Sequence, residues 1–308
     1  MKHAFSNSHL ELVTLFALTS IALPMLDAEA RCPGGIASVT PRFVQGVLII
    51  IPVRINHKGP FDFMVDTGSQ VTVADPSLAS ELDLKPQGAV GLVSVANYAK
   101  ASIAVLETLE AGSHTVDKPY VLVKELEQIQ AADPRIRGVL GENFLAHFDL
   151  LIDYRHKVVC LDATKTLAGF VHGEHIPLVG PQHPENELPF MERLVIAARL
   201  SGAGPQEILL QVDSGSDGPI LFPYPKRPEL KRLERAALRT SGANQAFAAL
   251  APQDMRIGAH ILSNISFVTP VRFGQSLPAP EEDGLLPTVL FQSVFISHAN
   301  RYVTFDPR

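Results

Sequence analysis

The sequence predicts an all-β protein, mainly β with a few short helices, folded as two similar lobes. Three observations lead there. Short β-branched runs alternate with Gly/Pro-rich turns along most of the chain. A strand–turn–strand pattern ending in an Asp-[Thr/Ser]-Gly-Ser tetrapeptide occurs twice. The length, 308 residues, suits about two domains of ordinary size.

The two copies can be read in order. In the first, an apolar run from Val47 to Ile55 leads through Asn56-His57-Lys58-Gly59-Pro60 into Phe61-Asp62-Phe63-Met64-Val65. The Gly59-Pro60 pair marks the expected turn, and Phe61, Phe63 and Val65 alternate as a half-buried strand should. This hairpin delivers Asp66-Thr67-Gly68-Ser69 at a strand end. In the second copy, Leu194–Leu200, a turn at 201–205 and Ile208–Val212 deliver Asp213-Ser214-Gly215-Ser216.

A downstream marker repeats as well. Gly138-Val139-Leu140-Gly141 lies 72 positions after Asp66, and Gly284-Leu285-Leu286-Pro287 lies 71 after Asp213. Each copy then closes on a strand with an aspartate, at Leu151-Ile152-Asp153 and Val303-Thr304-Phe305-Asp306.

The expected organisation is a signal peptide over 1–30, a first lobe over 31–165, an interlobe linker over 166–190 and a second lobe over 191–308. Lys2, the apolar stretch Leu10–Leu26 and Ala28-Glu29-Ala30 compose the signal. The mature chain is therefore expected to be exported, periplasmic or secreted, with no membrane span of its own. Cys32 and Cys160 are the only cysteines, and in an oxidising compartment they are expected to pair. The linker carries four prolines and three glycines. Its His172, Glu174 and His175, with His183 nearby, lack the spacing of a metal site, and no metal or cofactor is expected. Residues 226–239 carry six basic side chains, with Leu230, Leu233, Ala237 and Leu238 at helical spacing, and read as an amphipathic helix docked on a lobe.

Composition narrows the function. Hydrophobic residues make up 46% and charged residues 19%, which excludes a disordered chain. A net charge of −6 argues against a nucleic-acid partner.

Two aspartates on matched loops can hold one water between them. One carboxylate takes the water's proton while the other, protonated, donates to a carbonyl oxygen. Like charges that close cannot both ionise, so the pair shares a proton. Gly68 and Gly215 let the backbone turn tightly behind the aspartates, and Thr67 and Ser214 offer hydroxyls that can bridge the loops. Ser69 and Ser216 are expected to donate from their hydroxyls to the carboxylates.

These motifs, with Phe63–Ser69, Leu210–Ser216 and the hydrophobic-hydrophobic-Gly element Val139-Leu140-Gly141, resemble the aspartic peptidase clan of retropepsin-like and pepsin-like enzymes. The resemblance spans roughly 45–163 and 193–308. It implies a two-lobed acid-protease fold of secreted bacterial type, each lobe a retropepsin-like closed β-barrel. It implies Asp66 and Asp213 as the catalytic dyad, Thr67 and Ser214 as interlocking hydroxyls, and Val139, Leu140, Gly141, Leu285 and Leu286 as ψ-shaped loops behind the turns. The implied activity is aspartic endopeptidase, acting as a monomer on a peptide or protein substrate. A flap is implied within Gly88–Lys100, with Val93, Val95 and Tyr98, and within Ala243–Asp254. Pro287 replaces the glycine of the first copy, and Asp217-Gly218-Pro219 replaces its apolar continuation. Both departures motivate the alternative of a bilobal fold that binds peptides or envelope partners and cleaves little.

Overall fold

The computed structural model describes residues 31–93, 98–179, 193–223, 230, 232–239, 246–271 and 282–306. The signal reading, His183 and most of the linker's second half lie outside these residues.

The chain is mostly β and forms two curled sheets joined by a third. The first lobe's sheet runs in the order 88–93, 98–105, 120–123, 73–74, 136–140, 58–65, 48–55, 108–111 and 114–117, with 42–44 beside 48–55. The second lobe's sheet runs 232–239, 246–250, 268–270, 220–221, 284–287, 208–213, 195–200, 253–257 and 260–265. The two orders match strand for strand. In each, the strand bearing the aspartate lies parallel to the hydrophobic marker strand, Leu140 opposite Val65 and Leu286 opposite Val212. Among the described residues each path has two ends, so the expected barrels are half-barrels curled around their cores.

The duplication persists in single hydrogen bonds. Leu122 N–H donates to Thr72 O at 2.9 Å, and Val268 N–H donates to Pro219 O at 3.0 Å. Asp75 N–H reaches Arg137 O, and Phe222 N–H reaches Asp283 O, each at 2.9 Å. The inner face of the first sheet is filled by Ile49, Ile51, Val53, Phe63 and Val65, and that of the second by Ile196, Leu210, Val212 and Leu286, all in one continuous core. At about 25 cal/mol per Å² of apolar surface buried, such side chains supply most of the force that curls each sheet.

A six-stranded antiparallel sheet spans both lobes. Its centre pairs Asp149–Asp153 with Ser293–Ser297, Leu151 opposite Phe295. Val158–Asp162 and Ser38–Val39 extend it on one side, and Tyr302–Phe305 and Ile176–Pro177 on the other. Cys32 and Cys160 are joined there, with a Cα–Cα distance of 5.8 Å, tying the start of the described chain to this sheet.

Two expectations are corrected. The first hairpin turns at Asn56-His57, both left-handed at φ 49° and 63°, while Gly59-Pro60 lies within the following strand. Asn adopts that conformation more readily than most residues, and a two-residue left-handed turn matches the twist of the paired strands. Arg232–Arg239 is a strand paired with Ala246–Leu250, not part of a helix. A register shift between Arg232 and Ala237 interrupts strict alternation. The helix-like apolar spacing is therefore overruled by the hydrogen bonds a neighbouring strand supplies.

This hairpin, 232–250, and the 88–105 hairpin occupy equivalent sheet ends. Residues 94–97 and 240–245 lie outside the described residues, and with them Val95 and Ala243 of the flap reading. Val93 and Tyr98 are paired with one another as strand residues.

Candidate active site

Asp66 follows the Lys58–Val65 strand and Asp213 ends the Ile208–Asp213 strand. Parallel pairing with the marker strands fixes where each strand stops. Asp66 N–H donates to Leu140 O at 3.0 Å, and Asp213 lies opposite Pro287. Both aspartates therefore emerge at the same height where the lobes meet.

The turns after them interlock. Thr67 Oγ1 donates to Val212 O at 2.9 Å and accepts from Ser214 N–H at 3.0 Å. Ser214 Oγ donates to Val65 O at 3.0 Å and accepts from Thr67 N–H at 3.1 Å. Thr67 and Ser214 are buried, so each hydroxyl satisfies one amide and one carbonyl that water cannot reach.

The glycines are a matter of space. A Cβ at Gly68 would lie 2.6 Å from Asp213 Cγ, and one at Gly215 would lie 2.5 Å from Asp66 Cγ. Each carboxyl thus packs over the glycine of the opposite loop, and any side chain there would displace it. Gly68 N–H also donates to Asp66 Oδ1 at 2.9 Å, and Gly215 N–H to Asp213 Oδ1 at 2.7 Å.

The two carboxyls are hydrogen-bonded to one another. Removal from water raises the proton affinity of both above the ordinary carboxylate value. For Asp213 the charge of Asp66 adds to the rise, and its proton affinity lies well above that value. For Asp66, the hydrogen bond with Asp213 and backbone N–H groups of Gly68 and Ser69 offset part of the rise, while Glu142 adds to it.

The serine hydroxyls do not do what the sequence suggested. Ser69 Oγ donates to Val71 O at 2.9 Å and Ser216 Oγ to Gly218 O at 2.8 Å. The backbone N–H groups of these serines, not their hydroxyls, face the carboxylates. A two-residue reach to a loop carbonyl is the closer option for a serine in such a turn.

Behind the first turn, Gly141 leaves no room for a Cβ, which would lie 2.7 Å from Ser69 O. Its N–H donates to Thr72 Oγ1 at 3.2 Å. Asn143 Oδ1 accepts from Thr72 N–H at 2.7 Å and from Thr72 Oγ1 at 2.8 Å. Val139 and Leu140 are buried in this strand, as Leu285 and Leu286 are in its counterpart. In the second lobe Pro287 replaces Gly141, and Pro219, six residues after Asp213 as Thr72 is after Asp66, replaces the hydroxyl acceptor. Donor and acceptor are removed together, so neither is left unsatisfied.

Sequence reasoning missed five residues that join the lobes here. Gln211 Nε2 donates to Gly68 O at 3.1 Å from two positions before Asp213, where the first copy has Met64. That break in the apolar alternation was the available signal. Tyr154, Thr288, Glu142 and His298 sit where no motif announces them, with His298 Nε2 2.9 Å from Glu142 Oε2. Tyr154 OH and Thr288 Oγ1 are 2.6 Å apart, and burial pushes the phenol up to about 12.

Among the described residues, no group of three His, Cys, Asp or Glu is placed to hold a metal ion. In the linker segment, Glu174 accepts from Ala259 N–H at 2.7 Å while His175 stacks on Tyr302, with ring centroids 3.8 Å apart. No helix among the described residues is long and apolar enough to cross a membrane.

Residues 51–144 match a family profile described as Aspartyl protease. A retropepsin-like aspartic protease from Rickettsia conorii, known from its crystal structure, is 21% identical, with 41% of this chain and 89% of that chain covered and a TM-score of 0.31. No curated protein matches the chain significantly. The matched segment holds the Asp66 turn, the strand behind it and Gly141, so over these residues the chain is similar to the aspartyl protease family.

Proposed function

We propose that the chain is an aspartic endopeptidase that hydrolyses peptide bonds with a water activated between Asp66 and Asp213. The observation that carries this is the crossing of the two carboxyls over each other's glycine, hydrogen-bonded together and both raised in proton affinity. Such a pair loses its two protons in separate steps and holds one proton between them. The ionised carboxylate takes a proton from the water, whose oxygen attacks the peptide carbonyl carbon. The protonated partner gives its proton to the carbonyl oxygen, forming a gem-diol. The diol then collapses, the C–N bond breaks and the leaving nitrogen takes up a proton. Thr67 and Ser214 hold the loops at the spacing this exchange needs.

Both halves of the site lie in one chain, which supports action as a monomer. The Cys32–Cys160 bridge supports the exported location inferred from residues 1–30, since disulfides persist in oxidising compartments. The paired loss of Gly141's donor and Thr72's acceptor at Pro287 and Pro219 supports a competent second loop over a fold that only binds peptides.

The test is cleavage of a peptide library by the purified mature chain across pH. Asp66→Asn and Asp213→Asn are each expected to abolish cleavage, because an amide cannot share the proton. Wild-type turnover in either variant would remove the assignment.

A further inference from the structure

The strand that delivers Asp213 carries a buried polar side chain among apolar neighbours. Gln211 lies between Val195 and Leu285 in the strand register, as Met64 lies between Ile50 and Val139 at the matching position of the first copy. Met64 joins an apolar cluster with Ile50, Val71 and Val139. Gln211 has the same kind of strand neighbours, yet it is an amide, and a buried amide costs free energy unless it is hydrogen-bonded. It meets that requirement in the other lobe, where Nε2 donates to Gly68 O at 3.1 Å. A backbone carbonyl can only accept, so the amide nitrogen must face it.

The residue so held touches both carboxyls. Gly68 N–H donates to Asp66 Oδ1 at 2.9 Å, and its backbone packs against Asp213, where a Cβ would lie 2.6 Å from Cγ. The Thr67–Ser214 interlock fixes the residue before it. A glycine is the freest point of such a turn, and a bond to its carbonyl removes that freedom. On the second loop Gly215 has the same role, its N–H donating to Asp213 Oδ1 at 2.7 Å. The Met64 side chain carries no N–H or O–H, so it cannot give Gly215 O the hold that Gln211 gives Gly68 O.

We propose that Gln211 is a positioning residue of the dyad: from the second lobe it anchors, through the Gly68 carbonyl, the glycine that touches both carboxyls, and so fixes how Asp66 and Asp213 sit relative to each other. This rests on the reading of Asp66 and Asp213 as the reacting pair. The consequence is specific to hydrogen bonding. A side chain of the same size without a donor fills the space and loses the anchor.

Gln211→Met installs the side chain of the matching position and removes the donor. Gln211→Glu keeps the shape, and its carboxyl donates to Gly68 O only while protonated. In Gln211→Met, kcat and kcat/KM are expected to fall together by about 10-fold at every pH, because misplaced reacting groups raise the barrier without weakening substrate binding. Gln211→Glu is expected to stay within about twofold of the wild type at the acid end of the range and to lose activity as its carboxyl ionises. Hydrogen exchange reads the anchor without turnover. Gly68 N–H is expected to exchange about fivefold faster in Gln211→Met, while Thr67 N–H and Ser214 N–H keep their wild-type rates. An unchanged kcat in Gln211→Met overturns the proposal. So does a rise in KM alone, which would make Gln211 a substrate contact, or an equal loss in both variants at the acid end, which would make it a packing residue. Should Gln211→Met not fold, Gln211→Glu decides it. Gly68 exchange that quickens relative to the wild type as pH rises supports the anchor, and a constant ratio overturns it.

Peptide cleavage separates this from the functional reading. Faster exchange at Gly68 in Gln211→Met, in a chain that cuts no peptide, refutes the endopeptidase reading alone. Cleavage that depends on both aspartates and is unmoved by Gln211→Met refutes the anchor alone.

Discussion

Ser214→Ala tests the interlock where the structure is most explicit. The substitution removes one hydroxyl, and two buried groups lose their partner: Thr67 N–H, bonded at 3.1 Å, and Val65 O, bonded at 3.0 Å. Leaving a buried donor unsatisfied costs about 1–3 kcal/mol, and an ordinary lost bond about 1 kcal/mol more, so the expected destabilisation is about 2–4 kcal/mol. For a chain of this size that corresponds to a fall in Tm of roughly 3–6 °C. The loops also lose the contact that sets the separation of the aspartates, and kcat/KM is expected to fall about 10- to 100-fold. Thr67→Ser serves as the comparison, because it keeps both hydrogen bonds and gives up one methyl group, at about 1 kcal/mol. Urea unfolding followed by circular dichroism, with a peptide cleavage assay on the same preparations, measures both effects. A loss under about 0.5 kcal/mol with unchanged cleavage would refute the reasoning, since Thr67 N–H and Val65 O would then have found other partners.

Three further expectations follow from the same geometry. The raised proton affinity of Asp213 means that its share of stability is fully present below the ordinary carboxylate pKa and is lost as pH rises through the raised folded value. Asp213→Asn should therefore flatten the decline in unfolding free energy as pH rises above about 4, and an unchanged slope in urea titrations would contradict this. Ser69→Ala and Ser216→Ala should leave the acid limb of kcat/KM within about 0.2 pH unit, because their hydroxyls serve Val71 O and Gly218 O; a rise above about 0.5 unit would return those hydroxyls to the carboxylates. Opening the Cys32–Cys160 bridge, which closes a separation of 128 residues, should cost up to about 5 kcal/mol in chemical denaturation, and no change on reduction would show that the bridge does not hold the sheet.

Much of the architecture was written in local pattern. The repeated strand–turn–strand with its tetrapeptide, and the marker 72 and 71 positions on, predicted two equivalent lobes, and the strand orders match element for element. Thr67 and Ser214 were legible because a small hydroxyl beside a turn glycine has few other uses, and the structure brings them together. Cys32 and Cys160 were legible by count alone. The Arg232–Arg239 strand was not, because a register shift hides a strand's period of two and the decisive hydrogen bonds come from a neighbouring strand.

What the sequence determined by itself was the class of fold, its duplication and the residue types meeting at the centre. Those follow from periodicity, glycine and turn chemistry, which act over a few residues. Which partner each polar group takes was decided only by the tertiary structure. Ser69 turns to a loop carbonyl two residues away, while Gln211 finds Gly68 O across the lobes. Pro287 is tolerated because Pro219 removes its lost partner, and His298 and Tyr154 reach opposite loops because the central strands end in register. The physical reason is that a hydrogen bond depends on distance and direction to within fractions of an ångström. Those quantities exist only once two segments far apart in the chain have packed against each other.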